Sequence, residues 1–198
     1  MSRSRSRQGA AALAAALCFS PGANAAEEVP QKAQVCVACH GAGGNPTDAA
    51  MPSLAGQPAQ FVATQLYFFR EGNRRDPQMS PMASNLSNAE MNELAAYFSR
   101  QAPVPAPHRT SPESLAEGPR LAEQHHCVQC HGAKLLGLQH IPRLAGQQAA
   151  YLRTQLRAFK ARTRADLDGT MTSAAQPLSE KDIEVLADYL SGLDPHRD

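Results

Sequence analysis

The chain has 198 residues, 42% of them hydrophobic and 19% charged, with five Cys, fifteen Pro, no Trp and a formal net charge of +1. That composition excludes disordered and collagen-like classes. A charge so close to zero leaves no electrostatic footprint for nucleic acid or an anionic membrane surface.

In chain order, Arg3, Arg5 and Arg7 precede a small-apolar run from Gly9 to Phe19 that leads into Ala23-Asn24-Ala25. This is the pattern of a cleaved secretory signal, assigned to residues 1–26. Leu17 stands before Cys18, where a lipoprotein signal needs a small residue, so Cys18 is not read as a lipid anchor. The run is too short to span a bilayer, and no other stretch reaches the length a spanning helix needs. The mature chain is therefore expected to be soluble and exported to the periplasm. Loss of residues 1–26 leaves sixteen Lys and Arg against eighteen Asp and Glu, a net charge of −2.

A segment leading into Cys36 opens the first module, and a loop with Gly41, Gly43, Gly44 and Pro46 follows. Apolar periodicity predicts a helix near Ala59 to Glu71, with Val62, Leu66 and Phe69 on one face. A long loop from Gly72 to Asn85 precedes a final helix after Ser87, where Glu90 supplies the capping spacing. Pro103, Pro105, Pro107 and Pro112 then mark residues 101–113 as an extended, semi-rigid linker. The second module runs the same course. It has a Cys pair at Cys127, a helix from Ala149 to Arg162 carrying Leu152, Leu156 and Phe159, and a final helix after Ser179 with Asp182 in the capping position. No strand alternation competes with these helices.

The two halves are one module written twice. Cys36-Val-Ala-Cys39-His40-Gly41 matches Cys127-Val-Gln-Cys130-His131-Gly132, and Pro52-Ser-Leu54-Ala-Gly56-Gln57 matches Pro142-Arg-Leu144-Ala-Gly146-Gln147. Thr64-Gln65-Leu66 reappears as Thr154-Gln155-Leu156, and the last helices share Leu94-Ala95 and Tyr97 with Leu186-Ala187 and Tyr189. The predicted architecture is all-α, with tandem domains at residues 27–100 and 114–198.

Cys-x-x-Cys-His is the arrangement for covalent c-type haem attachment. Two thiols one helical turn apart add to the porphyrin vinyl groups, and the adjacent imidazole lies under the iron as an axial ligand. Cys36, Cys39 and His40, with Cys127, Cys130 and His131, thus imply two haem c groups. A shared zinc site fits poorly, because 87 residues separate the pairs and zinc ribbons need no His after each pair. Two disulfides would leave both histidines and the repeated loops without a role.

The sixth iron ligand separates electron carriers from enzymes. Met79 and Met171 each lie seven residues before the matched Leu86 and Leu178, and Met171 is the only Met of its module. Met82 and Met51 are rivals within the first module. His125, His126 and His140 have no counterpart there and are read as exposed or packing side chains. Pro52 and Pro142 lie twelve and eleven residues after their ligand His, where a backbone carbonyl could orient the imidazole or Pro could simply set a turn. Modules of about seventy to eighty-five residues are small for an unaided core, so folding is expected to depend on the macrocycle. Arg153, Arg157, Lys160 and Arg164 form a basic stripe at helical spacing, read either as a solvated face or as a docking surface for an acidic partner.

With a signal segment, two haem-attachment modules, matched Met79 and Met171 and the Pro-x-Leu-Ala-Gly-Gln turns, the chain resembles the diheme cytochrome c4 family over residues 30 to 193. The resemblance implies two class I cytochrome c domains with haems facing each other across the domain interface. His40 with Met79 and His131 with Met171 would be the axial pairs, and electrons would pass one at a time between respiratory partners toward a terminal oxidase. The alternatives are a non-catalytic diheme subunit of a dehydrogenase or flavocytochrome complex, and a peroxidase-type enzyme. One departure stands out: the segment Arg162 to Thr170 is two residues longer than its counterpart before Met79.

Overall fold

The computed structural model describes residues 29–196; the signal assigned to residues 1–26 and Cys18 lie outside them. Among the described residues, four α-helices and a short 3-10 turn at Ala42–Gly44 build the first half: α1 (Gln31–His40), α2 (Ala59–Glu71), α3 (Met79–Ala83) and α4 (Asn88–Arg100). The second half adds α5 (Pro112–Gln124), α6 (Cys127–His131), α7 (Ala149–Lys160), α8 (Thr170–Ala175) and α9 (Glu180–Ser191). Among the described residues the only β pairing is a single bridge between Leu138 and Ile141.

The predicted caps form. Ser87 Oγ accepts the Glu90 amide while Glu90 accepts the Ser87 amide, and Ser179 and Asp182 repeat the exchange at α9. Each pair satisfies two amides that would otherwise point out of the helix end unbonded. The middle helix of the second half stops at Lys160, two residues short of the expected Arg162, which adopts a left-handed φ of 58°.

Each half packs its last helix across the others, α4 on α1 and α2, α9 on α5 and α7. One core joins Ala33, Leu94, Tyr97 and Phe98; the larger one joins Leu121, Leu152, Phe159, Ile183, Leu186 and Leu190 among others. α5 crosses α9 at Gly118, where an added Cβ would stand 2.2 Å from Tyr189 Cγ. This close crossing explains a glycine in the middle of a helix, where it ordinarily costs about 1 kcal/mol relative to alanine.

Both Leu-Ala-Gly-Gln turns are pinned in the same way. The Gly44 carbonyl accepts the amides of Leu54 and Ala55, and the Leu135 carbonyl accepts those of Leu144 and Ala145. Gly56 donates to Phe98 O and Gly146 to Leu190 O, each at 2.9 Å. The loop after each Cys pair is thereby tied to the turn and to the last helix. Residues 102–111 form no helix or strand, whereas Pro112 and Glu113, expected to be part of the linker, already open α5 because Ser111 caps it. The stretch is anchored, since Asn45 holds Ala102 O and the Val104 amide and His108 meets Asp188 of α9 at 2.6 Å.

Candidate functional site

Cys36, Cys39 and His40 occupy the last turn and a half of α1, and Cys127, Cys130 and His131 make up α6. Spacing of i, i+3 and i+4 puts all three side chains on one helix face. The outer cysteine of each pair, Cys39 or Cys130, is exposed and the inner one half-buried, and no disulfide joins them. Burial pushes the Cys36 and Cys127 thiols up, favouring the protonated form.

His40 and His131 are buried, at 5% and 3% exposure. His40 Nδ1 lies 2.9 Å from Pro52 O and His131 Nδ1 lies 2.8 Å from Pro142 O. A carbonyl can only accept, so Nδ1 carries the proton and the Nε2 lone pair is left for a metal. Burial lowers the pKa of both imidazoles, and the proline carbonyls offset only part of that shift. Both rings are therefore held neutral in the tautomer that a metal ligand needs. The prolines do more than set turns.

Partly open apolar side chains pack along the edge of each core. Cys36, Leu54, Leu66 and Leu86 flank the first core; Cys127, Leu144, Leu156 and Met171 flank the second. Leu66 and Leu156 were expected to be core residues, but only Val62, Phe69, Leu152 and Phe159 of the two helix faces are fully buried. Among the described residues no three His, Cys, Asp or Glu side chains converge as a metal cage. One neutral imidazole, two thiols and an open apolar wall suit a metal whose remaining nitrogen donors come from a macrocycle.

Met79 and Met171 are partly buried and open α3 and the first turn of α8, whereas Met82 is 47% exposed. Aspartates hold the backbone of both matched methionines. Asp76 accepts the Met79 amide at 2.9 Å and Asp166 accepts the Met171 amide at 2.8 Å. Three residues separate the first pair and five the second, so the two-residue insertion falls between Asp166 and Met171, where Gly169 takes a left-handed φ of 79°. Sequence reading missed these anchors, although Asp76 and Asp166 are matched in the repeat. His126 is exposed and His125 and His140 are half-buried.

The basic stripe separates into two parts. Arg153 and Arg157 pair with Glu184 and Glu180 of α9, and Lys160 donates to Gln176 O. These contacts tie α7 to its own domain. Arg164 turns the other way, into the junction between the halves. There Gln65 Oε1 and Gln155 Oε1 each accept from both Arg74 and Arg164, while the two guanidiniums stack on Phe69 and Phe159, each at 4.5 Å. Burial pushes Arg164 down to about 10. Burial also opposes ionisation of Tyr151, but Arg74 and Arg164 outweigh it and lower its pKa.

The family model for cytochrome c matches residues 115–194, and that for cytochrome c oxidase, cbb3-type, subunit III matches residues 23–98. Cytochrome c4 of Pseudomonas aeruginosa is 36% identical over 171 residues, covering 82% of this chain and 85% of that one. The chain belongs to the diheme cytochrome c4 family. This diheme cytochrome is an electron-transfer protein with two covalent haem c groups, one on each Cys-x-x-Cys-His motif. The solved structure of reduced recombinant cytochrome c4 from Pseudomonas stutzeri superposes with a TM-score of 0.76 at 32% identity, covering 82% of this chain and 95% of that one. A protein of Thiomonas intermedia called thiosulfate dehydrogenase electron acceptor is 39% identical over 175 residues, covering 82% of this chain and 80% of its own. No described helix is long and apolar enough to cross a membrane.

Proposed function

We propose that this cytochrome carries electrons singly between respiratory partners in the periplasm, toward a terminal oxidase, with His40 and Met79 as axial ligands of one haem and His131 and Met171 of the other. The carrying observation is the matched pair of buried imidazoles, each with Nδ1 bound to a proline carbonyl and Nε2 free for iron. Haem iron supplies the one-electron couple. The chain would hold the iron through histidines bound to proline carbonyls and methionines whose backbone amides are bound to aspartates. Two filled axial positions keep the ligand set unchanged when an electron moves, and a thioether ligand raises the potential. Cleavage after the segment 1–26, with working domains at 27–100 and 114–198 joined by residues 101–113, completes this reading.

A second reading is favoured by the relative named as an electron acceptor for thiosulfate dehydrogenase. In it the chain is the non-catalytic diheme partner of a dehydrogenase, and stable copurification with a dehydrogenase separates it from a freely diffusing carrier. Optical spectroscopy of the holoprotein tests the ligand assignment. Two haems per chain are expected, both low-spin, and Met79→Ala and Met171→Ala should each remove about half of the weak long-wavelength band of thioether-ligated ferric haem. A high-spin or carbon monoxide-binding haem in the wild type refutes the assignment at that site.

A further inference from the structure

The peptide group that receives each axial histidine is shared with the opposite domain. The Pro52 carbonyl accepts the His40 Nδ1–H, and the N–H of that same peptide unit, on Ser53, donates to Gln147 Oε1 at 2.7 Å. In the other direction, the Pro142 carbonyl accepts the His131 Nδ1–H, and the N–H of that peptide, on Arg143, donates to Gln57 Oε1 at 3.0 Å. Each carboxamide closes the pairing with its other end: Gln147 Nε2 donates to Ser53 O at 2.9 Å and Gln57 Nε2 to Arg143 O at 3.0 Å. Gln57, Gln147, Ser53 and Arg143 are all at most 3% exposed, so water cannot take the place of either carboxamide.

Hydrogen bonds in series polarise one another, most effectively where solvent is excluded. An amide whose N–H is engaged presents a more negative carbonyl oxygen. A stronger acceptor on Nδ1–H pushes electron density toward Nε2 and makes the imidazole a better donor to its metal. A better donor stabilises the ferric state.

We infer that Gln147 and Gln57 are crossed positioning residues: each acts through one peptide group on the axial histidine of the opposite domain, so the docked interface sets both reduction potentials. The inference rests on the axial role proposed above for His40 and His131. It predicts an effect that crosses the domain boundary, which local packing damage does not.

The test is a redox titration of the holoprotein followed by NMR, in which the shifted methyl signals of the two haems are separately resolved. Gln147→Leu should raise the potential of the haem on Cys36 and Cys39 by a few-fold in its reduced-to-oxidised ratio, below the tenfold that about 59 mV represents for one electron. The haem on Cys127 and Cys130 should move less. Gln57→Leu should give the reciprocal pattern. Gln147→Glu keeps both the volume and the acceptor, adds charge to it, and serves where leucine does not fold; it should move the first haem in the opposite sense, downward, and more than the second. The ring N–H signal of His40 should shift in both Gln147 variants. Equal shifts at both haems, a shift confined to the substituted residue's own domain, or the same sign for the Leu and Glu variants would overturn the relay. A wild type without the strongly shifted ring signals of axial histidines overturns the ligand assignment itself, and the relay with it, before any variant is made.

Discussion

Gly118→Ala sets two known effects of opposite sign against each other at the α5–α9 crossing. Alanine is the better helix former by about 1 kcal/mol. The new methyl, however, would stand 2.2 Å from Tyr189 Cγ, 2.4 Å from its Cβ and 2.8 Å from its Cδ1. Carbon atoms in contact sit about 3.5 Å apart or more, so the helices must separate by roughly 1.3 Å at this point. The tyrosine Cβ is fixed to the backbone, so no rotamer change moves it clear. Overpacking of this kind costs about 1–3 kcal/mol, occasionally more, and the α5–α9 crossing also underlies the larger core. The overlap here belongs at or beyond the top of that range, so the net expectation is a loss of about 2 kcal/mol. For a domain of this size that lowers the unfolding midpoint by about 8–16 °C. Thermal unfolding of the holoprotein, followed by circular dichroism, measures it, and the early transition should belong to the domain carrying Cys127 and Cys130. A variant that melts at or above the wild-type temperature would show that the crossing yields without cost and refute the packing argument.

Two further outcomes follow from polar anchors. Burial opposes ionisation of Asp188, but the Ser111 amide, the Ser114 and Ser111 hydroxyls and His108 outweigh it and hold its pKa down to about 2, against an ordinary 3.8. A depressed folded-state pKa means the anchor stabilises fully above the unfolded value and is lost as pH falls toward the folded one. Urea denaturation should therefore show the wild type losing more stability than Asp188→Asn between about pH 4 and pH 2. Asp166→Ala removes the acceptor of the Met171 and Thr172 amides and of the Thr172 hydroxyl. Methionine dissociation in the ferric protein should increase, read as loss of part of the thioether band and faster cyanide binding at one haem only, with the other site unchanged.

Much of this protein was legible in the chain because its chemistry is local. A Cys-x-x-Cys-His motif needs only one and a half turns of helix, and a capping box needs only four residues, so the attachment segments and the starts of α4 and α9 could be read from spacing alone, whereas the break between α5 and α6 could not. Repetition did the rest: it singled out Met79 over Met82, which the structure leaves 47% exposed, and it marked Pro52 and Pro142, whose carbonyls reach the histidines. The Gln of each Leu-Ala-Gly-Gln turn was visible as a repeated residue, but nothing in its own module explained it.

What local spacing could not reveal were partners distant in the chain. The stripe from Arg153 to Arg164 was a single feature in helical projection, yet α9 carboxylates pair with Arg153 and Arg157, Lys160 donates to Gln176 O, and the domain junction takes Arg164. Gly118 made sense only once Tyr189 lay against it. Residues 57 and 147 found their acceptors and donors in the other domain, more than eighty positions away. The sequence specified the elements, the attachment motifs and their duplication, since these depend on interactions within a few residues. The docking of one copy against the other, and with it the exchange of carboxamides beneath the two histidines, depended on buried polar groups finding partners across the interface, which only the folded chain brings together.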